Sequence, residues 1–268
     1  MLLSTTIVVG SLLAVFAVVV LKGAPALSIS MLTQTPTGGY YLGKEGGILN
    51  AIMGSLYLAG GATALAFLLS FPIAVYLNEY AGRSSFGNFV RFSLDILWGI
   101  PSMVYGVFVF IIMLYLRARA SLLFGIITVT LFLLPIMTRA MDEAIRTIPV
   151  RLREASYSLG STRLETALNV LTRQALPGIL TAVLLAFGRG IGDAASVLFT
   201  AGYTDFIPSS LFDPAATLPL AVFFQLASPV PEVQQRAYAS GIVLLLLVLS
   251  LSIASRLVVS RFSKYAIK

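Results

Sequence analysis

Apolar residues run through this chain in long blocks, separated by short polar stretches or by stretches rich in proline and glycine. The first block is 2–21, LLSTTIVVGSLLAVFAVVVL, and others cover 48–77, 93–116, 121–138, 176–199 and 238–259. A helix needs about 20 apolar residues to cross a bilayer. The pattern therefore predicts six transmembrane helices in one all-α polytopic membrane domain over 1–268, with no separate soluble domain. The first block reads as a membrane helix rather than a cleaved leader, because no basic segment precedes its apolar run.

The stretches between the blocks carry turn formers. Residues 22–47, with Pro25, Pro36, Gly38, Gly39, Gly43, Gly46 and Gly47, are expected to form an exposed loop. Residues 78–92 read as a short polar connection. Residues 201–236 read as a second long loop with five prolines, holding a short interfacial helix at 218–227. Within the second helix, Gly54, Gly60, Gly61 and Ala62 allow a neighbour to approach closely. Asn50, Ser55 and Thr63 offer interhelical hydrogen bonds, and Pro72 predicts a kink. The third helix is expected to start at Ser93, with Asp95 at its N-terminal end. It contains GIPSMVYG (99–106), where a proline flanked by glycines should break the hydrogen-bond ladder. Such backbone is tolerated in a membrane where it is buried in protein or lines a cavity. A packing kink and a cavity lining are both consistent with it.

The longest charged region, Arg139 to Arg173, holds six arginines and four acids. Pro149 separates a short helix (139–148) from a second that begins near Arg151. Gly160 marks a turn. Thr162 and Glu165 have the spacing of a capping box for a further helix. The region at about 139–175 thus predicts a compact hairpin outside the membrane.

Composition narrows the class. Only 11% of the 268 residues are charged and 58% are hydrophobic, against about a quarter charged in soluble domains. There is no cysteine and no histidine, which removes thiol chemistry and the usual zinc ligands, and no metal site is expected. No phosphate-cradling glycine loop of the nucleotide-binding types is present, so this chain is expected to bind no nucleotide itself and not to be an enzyme. The net charge of +7 lies mostly beside the apolar blocks and forms no nucleic-acid patch. With both termini, the 78–92 connection and the hairpin on one side, that side carries twelve basic residues, including Arg83, Arg91, Lys264 and Lys268. The other side carries five: Lys22, Lys44, Arg117, Arg119 and Arg236. The bias predicts cytoplasmic termini.

The remaining basic residue, Arg189, lies within the fifth apolar block with Asp193 four residues on. A charge inside the bilayer costs about 2.5–3.5 kcal/mol on insertion scales, so such residues usually face a bundle interior or a wet path. At this spacing the two share a helix face and can pair. One reading is a structural ion pair. The other is a substrate path, in which Arg189 offers a planar fork of donors to an anion and Asp193 holds it when the path is empty. Gly188, Gly190 and Gly192 thin the helix around the pair, either for passage or for close packing.

Arg153-Glu154-Ala155-Ser156-Tyr157-Ser158-Leu159-Gly160 resembles the EAA motif of binding-protein-dependent ABC importer permeases. REASYSLGSTR, ALPGILTAVLLAFGRGIGDAA and LFTAG, with GGILNAIMGSL (46–56), AVYLNEYAG (74–82) and GIPSMVYG upstream, together resemble the PstA-type permeases of phosphate importers. The PstC-type sister permeases share many of these blocks. The family usually follows its helix arginine with Gly-Glu-Thr-Ala-Pro. Here the run is Gly192-Asp193-Ala194-Ala195-Ser196, so the acid is kept but one methylene shorter. Thr172-Arg173 likewise replaces a usual Leu-Pro.

The resemblance implies a type I ABC importer permease (MetI-like) fold in the cell inner membrane, working by alternating access. It implies phosphate as the transported ion, with another oxyanion (molybdate, tungstate or sulfate) as the alternative. A non-transport scaffold or sensor is the reading outside that class. Arg153, Glu154, Ala155, Ser156, Tyr157, Leu159 and Gly160 would dock on the ATPase. Arg189, Asp193, Gly188, Gly192, Pro101 and Ser102 would line the substrate path. The implied partners are a homologous PstC-type permease, two ATPase subunits that carry the ATP and Mg, an extracytoplasmic phosphate-binding protein and membrane lipid, with no nucleic acid.

Overall fold

The computed structural model describes residues 2–37, 45–82 and 84–262. Lys44, Arg83, Lys264 and Lys268, and the 38–43 part of the first loop, lie outside the described residues. The helices are α1 (Leu2–Gly23), α2 (Ile29–Thr33), α3 (Leu49–Tyr76), α4 (Ser85–Gly99), α5 (Ser102–Tyr115), α6 (Leu122–Arg146), α7 (Val150–Ser158), α8 (Arg163–Glu165), α9 (Thr172–Gly192), α10 (Leu218–Leu226) and α11 (Pro231–Phe262). Wide π turns over Thr166–Leu171 join α8 to α9, so Arg163–Gly192 is one rod. Pro36–Thr37 and Glu45–Gly46 pair as a minimal antiparallel ribbon, β1 with β2.

Among the described residues five helices are long and apolar enough to cross a membrane, and α4 with α5, bent by 95°, make a sixth broken span. The expectation of six spans holds in this form. The centre of the bundle is α3, α6 and α9. Leu58, Ala62 and Ala66 of α3, Val129, Leu133 and Met137 of α6, and Ile179, Ala182 and Ala186 of α9 form one buried cluster. Antiparallel α9 lies close along α6, with Gly178 against Ala144 and Gly190 against Val129 and Leu133. Small residues at both ends let the two backbones approach. By contrast α1 and the apolar second half of α11 are largely exposed, as suits helix faces toward lipid, while Val233, Ala237, Ala239 and Ile242 bury the first half of α11 in the bundle.

The segment boundaries differ from the sequence reading in informative ways. The third span starts at Ser85, not Ser93, because the Ser84 hydroxyl accepts from the Gly87 amide and caps α4. The 78–92 connection therefore shrinks to a π turn over Leu77–Ala81 and a glycine corner, Gly82 at φ +49°. Asp95 sits inside α4 rather than at its start. The break comes where proline was expected to put it: α4 ends at Gly99 and Pro101 caps α5.

The fourth helix runs past Pro135 to Arg146, absorbing the short helix expected at 139–148. One proline removes one backbone bond, and the packing around buried Pro135 outweighs that loss. The fifth helix ends at Gly192 rather than 199, where Asp193 turns extended (φ −83°, ψ 122°).

Between Asp193 and Thr217 the chain folds inward. Val197, Ala201, Ala215 and Ala216 are buried, and the Leu218 amide donates to the Ser55 hydroxyl at 2.8 Å. Asn50 donates to the Thr204 carbonyl at 2.6 Å. These two polar residues of α3 therefore hold this loop and the start of α10, not another helix, while the Thr63 hydroxyl has no partner among the described residues. The helix expected at 218–227 is present as α10, with Leu218, Leu220 and Ala221 buried against the bundle and Phe223 exposed. Part of the 22–47 loop is also folded: Met31 of α2 is buried with Ile48 and Ala51. The sixth span begins at Pro231 instead of 238.

Gly106 of α5 touches the Ser196 backbone so closely that a Cβ there would collide with the Ser196 carbonyl. Gly106→Leu should therefore destabilise by about 1–3 kcal/mol or more through overpacking, lowering the apparent Tm of the detergent-purified protein. An unchanged Tm would show that the α5 to 193–201 contact contributes little.

Candidate functional site: an open arginine and a charged clasp

Two polar constellations lie at different levels of the bundle, one near the middle of α6 and one at the hairpin end. The first surrounds Arg189, in the last turn of α9, where the negative end of the helix dipole favours a cation. Its guanidinium carbon lies 4.8 Å from the centroid of the Phe132 ring, within the reach of a cation–π contact. Phe132 is buried on α6, and Tyr105 packs against it with ring centroids 6.2 Å apart. The Tyr105 hydroxyl donates to the Leu97 carbonyl at 2.8 Å, tying α5 back to the last turn of α4 across the break.

The expected pairing of Arg189 with Asp193 does not form. Asp193 has left the helix, and its carboxylate accepts from the Ser102 hydroxyl at 2.8 Å and from the Ser196 amide at 3.0 Å. It thus pins the start of α5 to the turn after α9. Among the described residues no carboxylate pairs with Arg189 and nothing accepts from it. The arginine is held by a ring face, which leaves the edge of its donor fork open. Arg189 is exposed on the chain's outer face. A Cβ on Gly188 or Gly192 would meet open space, whereas one on Gly190 would meet Leu133, Val129 and Ala59. The three glycines therefore divide: Gly190 packs, and Gly188 and Gly192 border the open side with Arg189. Pro101 and Ser102 reach this group through the Ser102–Asp193 bond. Phe132 and Tyr105 were missed by sequence reasoning, since an aromatic in an apolar block carries no signal of its own.

The second constellation lies at the hairpin end. Asp142 of α6 has a side chain with no exposure. It accepts from Arg91 of α4 at 2.9 and 3.1 Å, from Arg139 at 3.1 Å and from the Asn78 amide at 2.9 Å. Arg139 also pairs with Asp95 of α4 at 2.7 Å. Arg91 further donates to the Gly82 and Leu77 carbonyls, closing the corner between α3 and α4. Next to it, Glu79 of the π turn is 2% exposed and faces Arg153 at 3.4 Å. The Tyr157 hydroxyl donates to the same carboxylate. Burial first, and then Glu79, push the Tyr157 phenol above its usual value near 10, so it remains a donor at neutral pH.

The hairpin itself has the predicted form. Gly160 takes φ +82° at the turn, a left-handed conformation that side chains disfavour. Thr162 and Glu165 make a complete capping box. The seven proposed docking residues divide by direction. Arg153, Ser156 (bonded to Thr166 at 2.9 Å) and Tyr157 hold α7 to the body. Glu154, Ala155, Leu159 and Gly160 face outward. Leu159 is 87% exposed at the tip. The cluster of Asn78, Arg91 and Asp142 lay outside the sequence reading. Its only signal was polar residues flanking the apolar blocks, which look the same whether solvated or buried.

A multi-pass membrane bundle with one broken span and a hairpin presented at one end is the architecture of a permease. Residues 70–264 match the family described as binding-protein-dependent transport system inner membrane component. The chain belongs to this family. It is 36% identical to the phosphate transport system permease protein PstA of Haemophilus influenzae, over 88% of this chain and 83% of that one. It is 33% identical to the phosphate transport system permease protein PstA 1 of Mycobacterium tuberculosis, over 80% and 70%. It is 30% identical to the probable ABC transporter permease protein YqgI of Bacillus subtilis, over 95% and 90%. An inward-facing structure of the MetNI methionine ABC transporter superposes with a TM-score of 0.65 at 19% identity, covering 80% of this chain and 95% of that one. That likeness establishes the shared fold, the type I importer permease architecture. The resemblance to PstA-type permeases read from the sequence is borne out.

Replacing Asp142 by Ala would leave Arg91 and Arg139 without their shared acceptor. Breaking a buried ion pair from one side costs about 3–5 kcal/mol. Asp142→Ala should therefore give a marked fall in Tm and in folded yield, read by size-exclusion chromatography. A variant eluting and melting like the native chain would show that the clasp is dispensable.

Proposed function

We propose that this chain carries inorganic phosphate through the cytoplasmic membrane as one permease of an ABC importer. The observation that carries the reading is the open donor fork of Arg189, seated on Phe132 and bound to no acid. A guanidinium held over a ring and bonded to no acceptor keeps its N–H donors for a ligand, and such a donor set suits a tetrahedral oxyanion. The relatives named for phosphate transport support phosphate as that anion. The fork suits any tetrahedral oxyanion, so molybdate, tungstate and sulfate are the competitors to test.

Arg189 lies on an exposed face, so this chain supplies one wall of a path. A second permease of the same kind, PstC-type, supplies the other. Gly188, Gly192 and the Pro101–Ser102 break line the near wall, with Asp193 fixing the break rather than neutralising the arginine. The outward residues Glu154, Ala155, Leu159 and Gly160 seat in an ATPase subunit, and the exposed leucine at a charged tip supports a protein partner there. ATP and Mg belong to that subunit, and this chain catalyses no reaction. The charge bias supports cytoplasmic termini and a cytoplasmic hairpin. A phosphate-binding protein delivers the ion at the opposite face.

Uptake of labelled phosphate by vesicles containing the assembled importer tests the path. Arg189→Gln should lower uptake about ten- to a hundredfold, the loss expected for a charge-assisted contact made during passage, with assembly unchanged. Normal uptake by the variant would make Arg189 structural. Competition by unlabelled molybdate or sulfate as strong as by phosphate would reassign the ion. Docking has a separate check: Glu154→Arg with Leu159→Asp should abolish co-purification of the ATPase, and retention of the ATPase would remove the hairpin from that role.

A further inference from the structure

At the hairpin end, a cavity of about 290 Å³ opens between the α3–α4 corner, α6 and α7. Asn78, Asn88, Arg91, Arg146 and Arg153 line it, and among the described residues its wall contains no carboxylate. Arg91 is almost fully engaged with Asp142 and the Gly82 and Leu77 carbonyls. Arg153 makes only long contacts, 3.4 Å to Glu79 and to the Asn78 carbonyl and 3.5 Å to the Ile145 carbonyl. The side chains of Arg146 and Asn88 bond to none of the described residues. Three guanidinium groups thus converge on one small space, with most of the spare donors on Arg146, Arg153 and Asn88.

We propose that this cavity is a second anion site, separate from Arg189, that takes a phosphate group from the hairpin side. A phosphate presents several acceptor oxygens and can be shared by two arginines and an amide. The volume lies at the lower edge of small-ligand pockets, which begin near about 300 Å³, so it has room for a phosphate group. The source is free inorganic phosphate or the headgroup of an anionic phospholipid. A bound phosphate joins Arg153 of α7 to Arg146 of α6 and Asn88 of α4. It therefore fastens the docking helix to the membrane frame, and its occupancy slows ATP turnover by the assembled importer.

The test uses the whole importer in nanodiscs, with turnover read as ADP released. In phosphatidylcholine, added inorganic phosphate should slow the native complex. Arg146→Gln with Asn88→Ala should leave ligand-free turnover unchanged and shift the inhibitory concentration about tenfold higher. Arg146→Lys, which keeps the charge, should shift it less. A complex that ignores free phosphate but is slowed by phosphatidylglycerol, with the double variant released, identifies the headgroup as the source. Product inhibition at the ATPase acts equally on native and variant complexes. Equal responses of the two, or no response of the native complex to either ligand, overturns the site. Because turnover is read independently of cargo uptake, an importer that moves another anion but shows the variant-sensitive slowing still supports it.

Discussion

The buried carboxylate of Asp142 sets the arrangement of one whole end of this protein. A single acid without exposure accepts from two arginines and an asparagine, and each donor comes with a structural element attached. Arg91 brings α4, Asn78 brings the π turn after α3, and Arg139 extends the link to Asp95 further along α4. An isolated carboxylate in this setting would be strongly disfavoured. The four partners therefore stand or fall together, and the corner between α3 and α4 has one arrangement that satisfies them. Glu79, next to Asn78, extends the same logic to α7 through Arg153 and Tyr157. Helix α7 is positioned by charge as well as by packing.

This arrangement explains why the hairpin holds its form with its tip exposed. Its inner face is fixed by Ser156, Arg153 and Tyr157, and its outer face keeps Leu159 and Glu154 free. An exposed leucine beside charged residues contributes nothing to the stability of the isolated chain. The group around Arg189, near the middle of α6, uses different chemistry for a similar purpose. Asp193 bonds Ser102 and Ser196, fixing the broken span, while Phe132 supports Arg189 without neutralising it. An acid opposite Arg189 would have occupied its donor fork. A ring face stabilises the cation and leaves the fork open.

What could be read from the chain follows this division. Spans were legible because hydrophobic block length maps directly onto membrane thickness. The hairpin was legible because Pro149, Gly160 and the Thr162–Glu165 box are local signals. The partner of Asp193 was not legible. Its spacing from Arg189 predicted a pair only if the helix continued, and the helix ends one residue earlier, at Gly192. The start of α4 was missed because Arg91 and Asp95 look like surface charges in a linear reading. Only the tertiary structure shows that both neutralise partners on α6. The inward path of 193–217 was hidden for a related reason: its burial depends on Asn50 and Ser55, more than a hundred residues away in the chain.

The two constellations are joined by helices that serve both. α6 carries Phe132, the seat of Arg189, and Asp142, the centre of the clasp, ten residues apart, or about 15 Å along the axis. The rod Arg163–Gly192 begins where Thr166 bonds Ser156 and ends beside Arg189. These elements lie side by side, packed through Gly178 against Ala144 and Gly190 against Leu133. A displacement of α7 relative to α6 must therefore strain either the Arg153–Glu79 contact or the Ser156–Thr166 bond. If the second holds, the rod shifts along α6, and the distance between Arg189 and Phe132 changes with it. The rod also contains the π turns at Thr166–Leu171, an irregularity often found where a helix has a functional role. The local unwinding falls between the hairpin and the membrane part of the rod. If the hairpin moves, these turns are where the rod can yield before the movement reaches Arg189.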